Sequence, residues 1–165
     1  MPNDSDDLAA IAAVLVRYSQ AMDERRWDLM ETVFTEDAEL VFNGKRVAGR
    51  ERGVAAIRAA IECCAVTHHM NSNVRAEISG DTARVANNFR AWHAGAEREA
   101  EGGGRAIYEA LGDYHDDFVR GADGRWLIRR RVETTVGDMG DRGIFAAAGL
   151  TMQRLIAESA ELPPA

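Results

Sequence analysis

Three side chains suited to proton transfer stand where one pocket could collect them. Tyr18 and Asp23 are five residues apart at the end of an N-terminal helical pattern. His68 and His69 lie in Val66-Thr67-His68-His69-Met70-Asn71-Ser72-Asn73-Val74, which reads as a strand. Side chains alternate across a strand, so one histidine faces the interior and the other faces away. A buried imidazole needs a partner, and Asp23 is the carboxylate assigned to it. A neutral histidine titrates near neutrality and takes up a proton readily. An aspartate on its other nitrogen fixes the tautomer and stabilises the imidazolium as it forms. Tyr18 could donate to a substrate oxygen that gains charge. His69 is assigned inward, and His68 outward or towards the third helix. A slip of one residue would exchange them, so His68 is kept as a pocket candidate.

Each residue has a plainer reading. His69 alone could be a core histidine bonded to a backbone carbonyl. Asp23 could simply end the helix or pair with Arg25 or Arg26. Tyr18 could be core and nothing more. Cys63-Cys64 followed by His68-His69 invites thought of zinc, but the spacing matches no standard site and strand alternation splits the histidines. No metal site is expected. Two adjacent cysteines, the only two in the chain, exclude a disulfide framework and fit a reducing cytoplasm.

The elements that must hold these residues follow from periodicity. Over 5–22, Leu8, Ile11, Ala12, Leu15, Tyr18 and Met22 form one helical stripe, with Asp4 or Ser5 as N-cap and Asp6 and Asp7 in the first turn. A short helix is expected over 26–34, with Trp27, Met30, Val33 and Phe34 inward. Thr35-Glu36-Asp37 should break it. A strand over 38–42, the Asn43-Gly44 turn and a short return over 45–48 make a hairpin. A third helix should run over about 50–64, with Cys64 a small core residue.

From Val66 the period changes to two. Long strands are expected over 66–78, 82–93, 107–120 and 125–135, joined at Ser79-Gly80-Asp81 and Gly121-Ala122-Asp123-Gly124. Residues 94–104 read as a mobile loop. In the fourth long strand, Trp126, Ile128 and Arg130 should share a face. Asn87, Asn88, His93, Tyr114, His115 and Asp116 are polar positions on the long strands that could line a pocket. The tail over 143–160 reads as an amphipathic helix ended by Pro163-Pro164, either a lid, a subunit contact or a helix packed on the sheet. The expected division is a domain over 1–138 and a tail over 139–165. Strongly bent antiparallel strands wrapped over three helices satisfy both patterns, which makes the fold class α+β.

Composition narrows the partners. Of the 165 residues, 46% are hydrophobic and 28% charged, as in ordinary globular chains. The net charge of −7 disfavours nucleic acid or an anionic membrane as a partner. No apolar run approaches the roughly 18 residues that a span requires, and the acidic N-terminus is not a secretory signal. No cofactor is expected, since Gly102-Gly103-Gly104 lacks the strand–helix setting of a phosphate loop.

The order of Tyr18-x4-Asp23-x3-Trp27, Phe34-Thr35-Glu36-Asp37-Ala38, Gly49-Arg50, Thr67-His68-His69-x3-Asn73, Gly80-Asp81-x-Ala83 and Asp123-Gly124-Arg125-Trp126-x-Ile128 resembles the SnoaL-like enzymes of the nuclear transport factor 2-like superfamily, over roughly 8–136. That resemblance implies a cone-shaped α+β barrel. The pattern is most similar to the branch holding scytalone dehydratase, bile-acid 7α-dehydratase and hexachlorocyclohexane dehydrochlorinase. By that match Tyr18, Asp23 and His69 are the catalytic candidates, and a last-strand arginine of the dehydrochlorinase would correspond to Arg131. His68, Asn87, Tyr114 and Arg131 complete the expected pocket.

The function implied is a cofactor-independent lyase acting on a cyclic, largely apolar small molecule, with loss of water or halide. A polyketide cyclase or isomerase is the chemical alternative, and a non-catalytic binding or docking module the other. The branch also implies a homo-oligomer, trimer before dimer.

Overall fold

The computed structural model describes residues 4–100 and 104–160. Helix α1 spans Asp4–Asp23. Its inward stripe is Ile11, Val14, Leu15, Tyr18, Ala21 and Met22, all essentially buried. Leu8, expected on that stripe, is 42% exposed, and the buried position one residue earlier is Asp7. Counting back from Ile11 by four explains this, because Asp7 rather than Leu8 continues the row. The Asp7 carboxylate has partners there: Trp126 Nε1 donates to Oδ1 at 3.0 Å and Arg120 donates to Oδ2 at 2.7 Å. α1 begins at Asp4, which leaves Ser5 inside the first turn.

A 3-10 turn, Trp27–Thr32, follows in place of the expected α-helix. Strand β1 then runs Phe34–Phe42, four residues earlier than the hydrophobic run announced. Thr35-Glu36-Asp37 does not stop the chain. The register against the neighbouring strand shifts between Phe34 and Glu39, so these polar residues sit in a bulged stretch. Asn43 and Gly44 both take positive φ (48° and 82°), as a two-residue hairpin turn requires, and β2 returns over Lys45–Ala48. Helix α2 covers Arg50–Ile61, which places Cys64 on the following strand.

The four long strands are β3 (Cys64–Ser79), β4 (Thr82–Ala100), β5 (Gly104–Arg120) and β6 (Trp126–Gly140). They form one open mixed sheet in the order β2-β1-β6-β5-β4-β3, in which only β1 and β6 run parallel. The sheet curls over α1 and α2 as an α+β cone that does not close. The described part of the expected 94–104 loop is strand: Glu99 and Ala100 still pair with Arg105 and Gly104. Residues 101–103, and Pro163-Pro164, lie outside the described residues.

Two irregularities bend the sheet. At Gly112 the β5–β6 register shifts, and a Cβ there would lie 2.1 Å from the Thr134 carbonyl oxygen and 2.6 Å from the Phe89 ring. At Arg129 the same pair of strands slips by one residue, with Asp117 opposite Arg130 and Phe118 opposite Ile128. That bulge reverses the expected facing of the arginines. Arg130 is exposed, while Arg131 is wholly buried.

Helix α3 spans Ala148–Ala160 after a 3-10 turn over Arg142–Phe145. Leu155, Met152 and Ile156 pack on Val47, Ala55 and Ala56 of β2 and α2. Ser159 is fully buried; its hydroxyl accepts from the Ala48 N–H and donates to the Leu155 carbonyl. The tail helix therefore closes over its own chain.

Candidate active site

Asp23 is the last residue of α1, where the helix delivers it to the edge of β3. His69 Nδ1 lies 2.7 Å from Asp23 Oδ1, and the His69 backbone N–H donates to Oδ2 at 2.9 Å. Thr67, two residues earlier on the same face, donates to Oδ1 at 2.9 Å. An ionised carboxylate only accepts, so Nδ1 carries the hydrogen, and in the neutral ring Nε2 keeps its lone pair. Burial opposes the Asp23 charge. The bonds from the His69 ring, the His69 N–H and Thr67 outweigh it and hold the carboxyl below its ordinary value.

Arg25 does not pair with the Asp23 carboxylate. Held at a positive φ of 58°, it donates to the Met22 and Cys64 carbonyls and to Thr67 Oγ1. It thereby ties the end of α1 to β3 and fixes Thr67 beneath Asp23. Backbone carbonyls at a helix C-terminus lack intrahelical donors, and a guanidinium supplies them.

His69 opens on a cavity of about 280 Å³ between the sheet and α2. Its polar lining includes Tyr18, His69, His93, Tyr108, Tyr114 and Glu133, and its apolar wall includes Ile57, Ile61, Phe89, Phe145 and Met152. A larger groove of about 470 Å³ at the far end of the sheet, lined by Glu77, Arg84, Asp117 and Arg129 among others, contains none of those polar groups. Phe145 and Met152 come from the tail, which thus covers part of the cavity mouth.

His93 stands beside His69, with ring centroids 5.3 Å apart and planes at 86°. Phe145 and Tyr108 flank it. Burial, reinforced by His69, lowers its pKa to about 4, so the ring is neutral at pH 7. Its Nδ1 is buried without a hydrogen-bond partner among the described residues. Tyr18 is 2% exposed, and burial pushes its pKa up to about 12, which keeps it a phenol and a donor.

The remaining expected residues are placed differently. His68 is exposed on the outer face, opposite Trp92, and does not line the cavity. Asn87 is buried, but it donates to Asn71 Oδ1 at 2.9 Å, and Asn71 in turn donates to Ser19 on α1. It ties helix to sheet and leaves no group in the cavity. Arg131 also stays out of the lining, with Nε and Nη2 on Asp116 and Nη1 buried without a hydrogen-bond partner among the described residues. Of the four expected pocket residues, Tyr114 alone lines the cavity.

Glu133 was not singled out in the sequence. It lies two residues beyond Arg131, so once the bulge turns Arg131 inward, alternation brings Glu133 to the same face.

The chain belongs to the SnoaL-like domain family, which matches residues 3–132. The fold is that of the nuclear transport factor 2-like proteins. An uncharacterized protein of Mycobacterium tuberculosis is 35% identical over 132 residues, covering 78% of this chain and 84% of that protein. A scytalone dehydratase-like protein of Novosphingobium aromaticivorans shares the fold with a TM-score of 0.71 at 22% identity, over 84% of this chain and 90% of its own. The hexachlorocyclohexane dehydrochlorinase of Novosphingobium barchaimii does so with a TM-score of 0.69 at 19% identity, over 86% and 96%.

Proposed function

We propose that this protein is a cofactor-independent lyase in which His69, oriented by Asp23, removes a proton from a ring-containing organic molecule that then loses a leaving group. The observation that carries this is the 2.7 Å contact between His69 Nδ1 and Asp23 at the wall of a mostly apolar cavity. The base needs a free Nε2, and the Asp23 bond leaves one. The substrate needs a donor where charge develops, and the neutral phenol of Tyr18 lines the same cavity. His93, neutral and short of a partner for Nδ1, is a second group able to meet a substrate oxygen or a water molecule.

The cavity has room for one or two fused rings, and its aromatic and aliphatic walls suit a largely apolar one. A cyclase or isomerase relying on an aspartate base would have little use for an aspartate so committed to histidine. A docking module would have no need of these ionisable groups beneath an apolar wall. The test is elimination from cyclic β-hydroxy- and β-halo-ketones, followed as enone absorbance. His69→Ala should reduce turnover by about 10²–10⁴-fold, and Asp23→Asn should reduce it while leaving substrate binding within a few-fold. A His69→Ala protein as active as wild type would overturn the reading.

A further inference from the structure

We propose that Glu133 is the acid that protonates a departing hydroxyl, so that this site expels water rather than halide. The inference rests on the lyase reading above and assigns its second half.

A halide departs as an anion and needs a positive or donating partner. Among the described residues no lysine or arginine lines the cavity. The nearby cation, Arg131, has its Nε and one Nη committed to Asp116 and its guanidinium face pressed on the rings of Tyr18 and Tyr114. The carboxyl that does line the cavity is Glu133. A chloride leaves without needing a proton, so an acid at this position brings it little, and once ionised the carboxylate opposes its departure.

A leaving hydroxyl has the opposite need, since hydroxide is a poor leaving group and requires a proton as the bond breaks. Glu133 is placed to give one. Its strand register sets it opposite Tyr114 on β5 and Phe42 on β1, at the centre of the sheet's concave face. Its carboxyl has no hydrogen-bond or ion-pair partner among the described residues, so no internal contact competes for the proton. By area the side chain is only half-buried, because it faces the cavity. The surrounding protein nevertheless makes its charge costly, and burial raises its pKa to about 7.

The step balances. His69 Nε2 takes a proton from the carbon next to a carbonyl, and the C–H electron pair becomes the new C=C bond. The C–O bond at the β carbon breaks, and its electron pair leaves with the oxygen. That oxygen takes the proton of the Glu133 carboxyl and departs as water. The enzyme is left with a His69 imidazolium and a Glu133 carboxylate, and transfer of the proton between them through water restores both.

The test uses 3-hydroxycyclohexanone and 3-chlorocyclohexanone, which give the same enone by loss of water or of chloride. Glu133→Gln should cut turnover of the hydroxyketone by about 10²–10⁴-fold and leave the chloroketone within a few-fold. It should also remove the alkaline fall of the hydroxyketone pH profile, because the wild type loses its acid as Glu133 ionises. His69→Ala should silence both substrates, and its failure to do so overturns the lyase reading rather than the role of Glu133. Equal losses on the two ketones in Glu133→Gln, or no loss on either, overturn the role of Glu133. Should the wild type turn over neither ketone, binding decides. Glu133→Leu should then weaken the hydroxyketone by about tenfold, the worth of one hydrogen bond, without weakening the chloroketone, and equal affinities for the hydroxyketone would overturn the assignment.

Discussion

Arg131 and Asp116 form a two-pronged ion pair from which water is excluded, with Nε and Nη2 donating at 2.8 and 2.7 Å. Both side chains are 0% exposed. The guanidinium lies 4.2 Å from the Tyr18 ring centroid and 4.1 Å from that of Tyr114. Burial opposes the Arg131 charge, and Asp116 outweighs it, so its pKa lies above the ordinary arginine value. Burial also raises the Asp116 carboxyl against the pull of Arg131. The forked contact, with each oxygen accepting an N–H, is that of an ionised carboxylate.

The pair holds two cavity tyrosines in place, and removing half of it leaves the other charge stranded. Asp116→Ala should destabilise the protein by about 3–5 kcal/mol, the usual result of breaking a buried pair. The double variant Asp116→Leu with Arg131→Met should recover most of that loss, since well-packed apolar residues often replace such pairs at little cost. Chemical denaturation of the wild type, Asp116→Leu, Arg131→Met and the double variant closes a double-mutant cycle and gives the coupling directly. A coupling near zero would show that the pair is not what fixes this layer.

His93 sets the acid side of stability. Its pKa falls from 6.5 in the unfolded chain to about 4 in the fold. Between those values the unfolded chain binds more protons, so the stability present above pH 6.5 is lost as pH falls towards 4. The loss attributable to this ring is about 3 kcal/mol at most. His93→Phe, which keeps a ring between His69 and Phe145, should take this rise with pH out of the melting temperature and leave the opposite slope that Glu133 contributes. An unchanged slope would mean that the ring takes up its proton in the folded state without penalty.

Much of this was legible in the sequence wherever a period ran unbroken. The inward row of β4, Ala83, Val85, Asn87, Phe89, Ala91 and His93, follows from alternation and is buried throughout. The meeting of Asp23 and His69 needed only the end of one helix and the parity of one strand. Legibility failed where the backbone broke its own period. The extra residue at Arg129 inverted the faces of β6, which hid the cavity position of Glu133 and left the inward facing of Arg131 to the family resemblance alone. The polar run of β1 concealed a strand, and the charged run after His93 concealed another, because hydrogen bonding to neighbouring strands sustained both. Asp7 was read as a favourable first-turn charge, and its partners, Trp126 and Arg120, lie over a hundred residues away.

Glu133 should leave a mark on stability independent of any substrate. Its pKa rises from 4.5 to about 7 on folding. A folded pKa above the unfolded one means that the group favours folding fully below pH 4.5 and loses that contribution as pH climbs through 7. Glu133→Gln keeps the shape and removes the charge. The variant should melt with the wild type near pH 4 and above it near pH 8 or higher. Identical melting at alkaline pH would indicate that the carboxylate is relieved inside the cavity, and the acid role would lose its physical basis.

The outer face of the sheet carries apolar side chains that stay exposed among the described residues. Met70 on β3 and Leu111 on β5 are each 40% exposed on opposite sides of Arg90, and Met139 on β6 is 61% exposed. The next rung runs from His68 through Trp92 and Glu109 to Met139, so apolar groups from four strands surround the Arg90–Glu109 ion pair. Exposed apolar groups gathered on one sheet face mark contact surfaces. The expected occupant is a second copy of this chain, in a closed assembly. Light scattering at micromolar concentration reads the mass directly. Met139→Glu combined with Leu111→Glu should shift it to the monomer of 18.1 kDa while leaving the His69 cavity on the concave side untouched. A wild-type protein that is already monomeric would remove the assembly, and the patch would then need a different partner.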